Sequence, residues 1–312
     1  MGETVLVGST GFVGGNLAAA GRFTRQYHST NVQEGFGADN DLVVYAGVPA
    51  AMYLANQDPE ADLAVMRAAR ENLRRLAPRR LVLISSVCVF ADSRGRTEQD
   101  APVPGQLAAY GANRLQLEQW VRQDFPDAHI LRLPALYGQG LKKNFLYDLH
   151  TITPALLRPD KYAALAEKSP LVRDAYSDKG NGFYGLNGTA DPAALRAWFA
   201  ANDFNALAFT DSRSRYQFYP LCRLWDDVCR TLEAGWPVLH LATPPVSADE
   251  VYRAVTGRAD WENHLAAAPF DYDLRTRYAA QLGGADGYLC TKEQELADIC
   301  RFMQDWSERE HG

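Results

Sequence analysis

A doubly wound α/β fold, with a parallel sheet and helices on both faces, is expected of this chain from three observations. The first 135 residues alternate short apolar runs with amphipathic ones, a glycine-rich turn beginning at Gly8 separates the first run from an Ala-rich stretch, and the alternation loosens after Leu133. Short strands spaced by helical stretches pair in parallel, because a parallel neighbour needs a crossover long enough to hold a helix.

The elements follow in order. "TVLVGS", "RQYHS", "LVVYAGV", "RLVLISS" and "HILRLP" read as strands, and the stretches from Glu60 and from Tyr110 as helices. Only a dozen residues separate "RQYHS" from "LVVYAGV", so that crossover should be abbreviated. Further on, "KSPLVRDAYSDKGNGFYGLNGTADP" reads as loops from its Gly, Asp and Ser content. Then come a helix capped at Asp191-Pro192, a short strand "ALAFTD", a helix "RLWDDVCRTLEAG" and a strand "PVLHLAT". Helices at "SADEV" and "TKEQE" begin with capping-box spacing. The expected division is a dinucleotide-binding domain over 1–140, completed by a strand near 237–242, and a mixed lobe over 141–312.

Composition narrows the function. Apolar residues make up 47% and charged ones 22% of the 312 residues, ordinary for a soluble globular enzyme. A net charge of -6 and a pI near 5.6 give no electrostatic footprint for nucleic acid or an anionic membrane. The cluster "RRLAPRR" reads as a solvated helix end. Five scattered cysteines without a CxxC pair argue against a disulfide framework or structural zinc, and six histidines show no metal-ligand spacing. With no signal peptide and no apolar run of roughly 18 to 20 residues, the expected setting is cytoplasmic.

Gly8, Gly11 and Gly14 lie between a β-branched strand and a helix, where glycine permits a tight turn and the helix N-terminus favours a pyrophosphate. Gly8, Thr10, Gly11, Phe12, Val13 and Gly14 are therefore expected along a dinucleotide. The second strand ends in Ser29, Thr30 and Asn31, neutral donors for a ribose 2′-hydroxyl or 2′-phosphate, which leaves NAD and NADP both open; Arg25 lies too early in the strand. Ser86 closes the fourth strand, at the carboxyl edge where ligands collect. Tyr110 and Arg114, four apart, share one helix face.

The order of glycine loop, "YAGV", "DPEADLAVMRAARENL", "SSVCVF" and "TEQDAPVPGQLAAYGANRLQLE" resembles the extended short-chain dehydrogenase/reductase superfamily of the NAD-dependent epimerase/dehydratase type. It is closest in motif order to dTDP-4-dehydrorhamnose reductases, over about Glu3 to Tyr137. The resemblance implies Ser86 and Tyr110 as catalytic hydroxyls, with Ala46, Gly47, Val48 and Pro134 along the cofactor. It places Arg114 where the family has a lysine that binds the nicotinamide ribose and lowers the tyrosine pKa, so that Arg114 supplies charge with a different geometry. Met66 stands where the family has an asparagine. Val87 and Cys88 replace the Asp-Glu pair of the dehydratase branch, which argues against dehydration, and Cys88 reads as a small apolar filler. Lys142 and Lys143 read either as facing a substrate diphosphate or as plain surface charges, with Asn144 placed to bond the diphosphate; Arg215 and Tyr219 fit the family segment whose arginine grips it, and Pro220 departs from that pattern. The implied function is an NAD(P)-dependent reductase or epimerase acting on a nucleotide-activated sugar; the rival is a dinucleotide-binding protein with little or no catalysis. Relatives pair as homodimers through the helices at Glu60–Leu76 and Tyr110–Gln123, so Leu117, Trp120 and Val121 are expected as apolar surface.

Overall fold

The computed structural model describes residues 2–311 and forms two compact units. The first takes the chain up to Leu141, then Arg215–Val246 and Asp271–Asp298; the second takes Lys142–Ser214, Ser247–Phe270 and the chain from Ile299 on. Two later segments return to the first unit, one of them because its strand pairs with the strand at His129–Leu133.

In the first unit β1 (Glu3–Val7), β2 (Arg25–Tyr27), β3 (Asn40–Tyr45), β4 (Arg80–Ser86) and β5 (His129–Leu133) join the strand Val238–His240. The order is Val238–His240, β5, β4, β3, β1, β2, and every pair is parallel. The chain turns back between β1 and β3, the kind of switch point where open parallel sheets bind ligands. The β2–β3 crossover is one 3₁₀ turn, Val32–Gly35, as its length requires. Its end is tied by the Asn40 carboxamide, which donates to the Gly35 and Leu76 carbonyls at 3.0 and 2.6 Å.

Helices α1 (Phe12–Ala20), α2 (Met52–Gln57), α3 (Pro59–Leu76) and α4 (Ala109–Asp124) are positioned by the two-residue period of the strands. Val5, Val7, Val43, Leu83 and Ile130 point to one face, where Met66, Leu73 and Leu76 of α3 and Leu117 and Val121 of α4 cover them. Leu6, Val44, Val82 and Leu131 point to the other, against Leu17 of α1 and Leu224 and Val228 of the Leu224–Ala234 helix. Each such aliphatic contributes about 1.5–3 kcal/mol by burial. Leu117 and Val121 are only 2% and 1% exposed and Trp120 packs against the same core, so the apolar surface expected of them is not there. Their period faces the sheet.

Local chemistry fixes the helix ends. On α3 Asp58 accepts from the Ala61 N–H at 3.0 Å, Pro59 opens the first turn, Glu60 and Asp62 lie near the N-terminus and Arg74 and Arg75 near the C-terminus, as the helix dipole favours. Arg70 and Arg74 both grip Asp124 at the end of α4, at 2.7 and 2.8 Å, which locks the two helices side by side.

The second unit corrects two readings. Within the stretch read as loops lie a helix, Pro170–Ala175, and an antiparallel hairpin of Tyr176–Asp178 with Tyr184–Leu186. Gly180 and Gly182, with φ of +70° and +84°, make the hairpin turn, so their glycine content marked a turn inside structure. The expected strand "ALAFTD" contains a 3₁₀ turn, Ala206–Phe209, which Asn205 opens by accepting from the Leu207 N–H at 2.9 Å. Leu157, Leu165, Val172, Tyr176, Leu195 and Phe199 form this unit's core. Among the described residues no helix is long and apolar enough to cross a membrane, and no cluster of His, Cys, Asp and Glu is arranged to hold a metal.

Candidate active site

At the carboxyl edge of the first unit's sheet the three glycines do different work. Gly8 adopts φ +96°, and a Cβ there would lie 2.5 Å from the Ala46 backbone, so the turn holds β1's end against β3's end. A Cβ on Gly14 would run into the Gly8 carbonyl oxygen, so this glycine lets α1 close on the turn. Gly11 caps α1 at φ -79° with no side-chain cap bond, and a Cβ there would meet only the Gly8 oxygen, at 3.3 Å. The N-terminus of α1 carries no acidic residue in its first turn and therefore suits an anion. Thr10 is exposed beside it, and Phe12 and Val13 are half-buried against the core. Ala46 donates to the Val7 carbonyl at 2.8 Å, Gly47 packs on Val7 and Tyr45, and Val48 packs on the core. After β2, Ser29 and Thr30 are exposed, and the Thr30 hydroxyl meets His28 Nδ1 at 3.0 Å; Asn31 closes the turn by accepting from the His28 N–H at 2.8 Å. These residues offer hydroxyls and open N–H groups without a carboxylate, a set that fits the phosphates and ribose of a dinucleotide.

Ser86 ends β4, and its Oγ accepts from the Cys88 N–H at 3.2 Å. Tyr110 stands in the first turn of α4, its N–H donating to Asn56 Oδ1 at 2.9 Å. A Cβ on Gly111 would collide with the Cys88 carbonyl, so this glycine brings the start of α4 onto the turn after β4. Tyr110 is 7% exposed. Burial raises its phenol pKa above the ordinary value, while the Arg114 charge and a hydrogen bond with Ser86 work in the opposite direction. The Arg114 charge thus favours tyrosinate as expected, and burial outweighs it. Burial likewise pushes the Cys88 thiol up, in keeping with a filler role.

Arg114 is buried, with its guanidinium carbon 3.8 Å from the centre of the Tyr110 ring. Nη1 pairs with Asp62 of α3, and Nη2 donates to the Pro49 carbonyl at 2.5 Å. Asp62, Asn56 and Gly111 are site residues that sequence reasoning missed. Pro134 follows β5, whose Leu133 pairs in register with Ser86.

Two of the three substrate candidates, Arg215 and Tyr219, lie in the first unit. Tyr219 is fully buried, its hydroxyl donates to Asp227 at 2.6 Å, and burial pushes its phenol far up. It is a core residue, correcting the expected ligand role. Arg215 is half-exposed and pairs with Asp271 at 3.3 Å in the same unit. Asn144 belongs to the second unit, where its side-chain oxygen caps the helix Phe145–Thr151 by accepting from Leu146 and Tyr147 at 3.0 and 3.3 Å.

Residues 3–153 match the family model described as RmlD substrate binding domain. No curated protein matches the chain. Among solved structures, the UDP-N-acetylglucosamine 4-epimerase of Methanobrevibacter ruminantium, in complex with UDP-N-acetylmuramic acid, is similar at a TM-score of 0.64 and 9% identity, covering 99% of each chain. The dTDP-4-dehydrorhamnose reductase of Bacillus anthracis, in complex with NADP, gives 0.60 at 14% identity over 97% of this chain and 99% of that one. The UDP-glucose 4-epimerase of Thermotoga maritima, with UDP-glucose, gives 0.61 at 11% identity over 98% and 99%. Residues 3–153 thus match that family model, and the whole chain shares the fold of these sugar-nucleotide epimerases and reductases.

Proposed function

We propose that the protein is an NAD(P)-dependent reductase or epimerase of a nucleotide-activated sugar. The observation that carries this reading is the gathering of Ser86, Tyr110 and Arg114 in one buried cluster at the carboxyl edge of the sheet whose first turn is the Gly8–Gly14 loop. The solved relatives bind NADP or UDP-sugars, which fits the same chemistry.

A bound nicotinamide supplies or accepts the hydride. Ser86 holds the sugar oxygen, and Tyr110 gives that oxygen its proton. A phenol kept protonated by burial suits the direction in which a ketone is reduced. An epimerase would use the same two hydroxyls, with Tyr110 first taking the proton. Arg114 supports the loop after β3 through the Pro49 carbonyl and so shapes the bed of the nicotinamide ribose.

Mixing the protein with NADPH or NADH and a panel of dTDP- and UDP-linked 4-keto sugars should give loss of reduced-nicotinamide absorbance with at least one of them. Binding of the dinucleotide without turnover on any sugar nucleotide would favour the non-catalytic reading. Gly11→Val should weaken dinucleotide binding at least tenfold, about 1.4 kcal/mol. Because a Cβ at Gly11 meets little of the protein, circular dichroism should stay unchanged, and unaltered affinity in a folded variant would remove the loop from the cofactor site.

A further inference from the structure

Arg114 has a partner that no local motif contains. From α3, Asp62 faces it with a side chain only 11% exposed, against 5% for Arg114, so the ion pair is shielded from water. Asp62 is held in turn by Asn113, whose amide donates to Asp62 Oδ2 at 2.9 Å and to the Pro59 carbonyl at 3.0 Å. The guanidinium is therefore fixed on three sides, by Asp62, by the Pro49 carbonyl and by the Tyr110 ring 3.8 Å away. A free cation over a phenol favours tyrosinate, and a carboxylate on the far side of that cation cancels much of its field.

We infer that Asp62 is a positioning residue of the proton-transfer site, holding Arg114 over the Tyr110 ring and screening its charge so that the phenol keeps its proton until a substrate oxygen takes it. The inference rests on the reading of Tyr110 as the proton donor. The groups around the phenol are few. β4 brings the Ser86 hydroxyl, the turn after it the Cys88 thiol, α4 the Arg114 charge and α3 the Asp62 carboxylate behind that charge, while Asn56 of α2 takes the Tyr110 backbone N–H.

The test is the titration of Tyr110 in the protein without added cofactor, read by tyrosine carbon NMR and assigned against Tyr110→Phe. Asp62→Asn leaves the Arg114 charge unscreened, so tyrosinate is favoured and the midpoint should fall by roughly one pH unit. Asp62→Glu, which keeps the carboxylate, should titrate near wild type. In a reduction assay the alkaline limb of the rate profile should move down with the Asp62→Asn midpoint, and Asp62→Glu should restore it. A folded Asp62→Asn protein with an unmoved or higher midpoint overturns the inference. Should that variant not fold, Arg114→Met should raise the midpoint and the pair Asp62→Asn/Arg114→Met should bring it back towards wild type; a double variant that stays as high as Arg114→Met overturns it equally. The underlying reading fails separately, if Tyr110→Phe keeps full activity while the titrations behave as expected.

Discussion

Tyr110→Phe lowers turnover of any sugar nucleotide the protein accepts by roughly 10²–10⁴-fold, the range that a positioned acid or base contributes. In the proposed reading the phenol gives its proton to a sugar oxygen, because the Ser86 hydroxyl is too weak an acid and Arg114 is permanently charged. Removing the hydroxyl should leave the fold intact, because the Tyr110 contacts that anchor α4 run through its backbone to Asn56 and through its ring to Arg114, and phenylalanine keeps both. The loss should therefore appear in kcat, with dinucleotide affinity little changed. Steady-state rates with saturating reduced cofactor check this, and full activity in a folded variant would end the case for a short-chain dehydrogenase mechanism.

How much of this was legible in the sequence depended on whether each residue acts locally. Gly8 and Gly14 could be read because a strand, a turn and a helix follow one another without interruption. Tyr110 and Arg114 could be read as one face because helical spacing is fixed. Asp62 could not, since its partner lies 52 residues away and nothing in "DPEADLAVM" points to an arginine on another helix. Gly111 carried a local signal in "YG", but its reason, the close approach of the Cys88 carbonyl, belongs to another element. Tyr219 misled in the opposite way. An aromatic beside arginines reads as a ligand, whereas its burial comes from Leu221, Leu224 and Leu239, which the sheet brings together. Leu117 and Val121 show the same limit, for an apolar stripe on a helix does not say whether it meets a sheet or a second subunit.

Beneath the proton-transfer site lies the feature with the largest expected effect on stability. Glu118, two turns after Tyr110 on α4, is fully buried; it accepts from Arg132 of β5 at 3.0 and 2.6 Å and from the Ser85 hydroxyl at 2.6 Å. Arg132 Nη1 also meets His240 Nε2 at 3.2 Å, and because a guanidinium can only donate, that nitrogen must be bare, leaving His240 Nδ1 to donate to the Arg275 carbonyl at 2.9 Å. Burial and the Arg132 charge keep the imidazole neutral against the pull of Glu98. Arg132→Met would leave the buried Glu118 carboxylate with the Ser85 hydroxyl and only the distant Arg122 guanidinium at 3.9 Å, at a cost of about 3–5 kcal/mol. The sign with pH follows from linkage: a buried acid deprived of its guanidinium is penalised only while ionised, so the penalty is absent where it is protonated and grows as pH rises. Denaturant unfolding at mildly acid and mildly alkaline pH should thus show the smaller deficit on the acid side. Glu118→Leu combined with Arg132→Met removes the stranded charge and should recover much of the loss, at both pH values alike. A single variant equally destabilised at every pH would mean that lost packing, and not the uncompensated carboxylate, sets the cost. Since Ser85 precedes Ser86 and Glu118 lies one turn beyond Arg114, the ion pair ties β4, β5 and α4 together beside the Ser86, Tyr110 and Arg114 cluster.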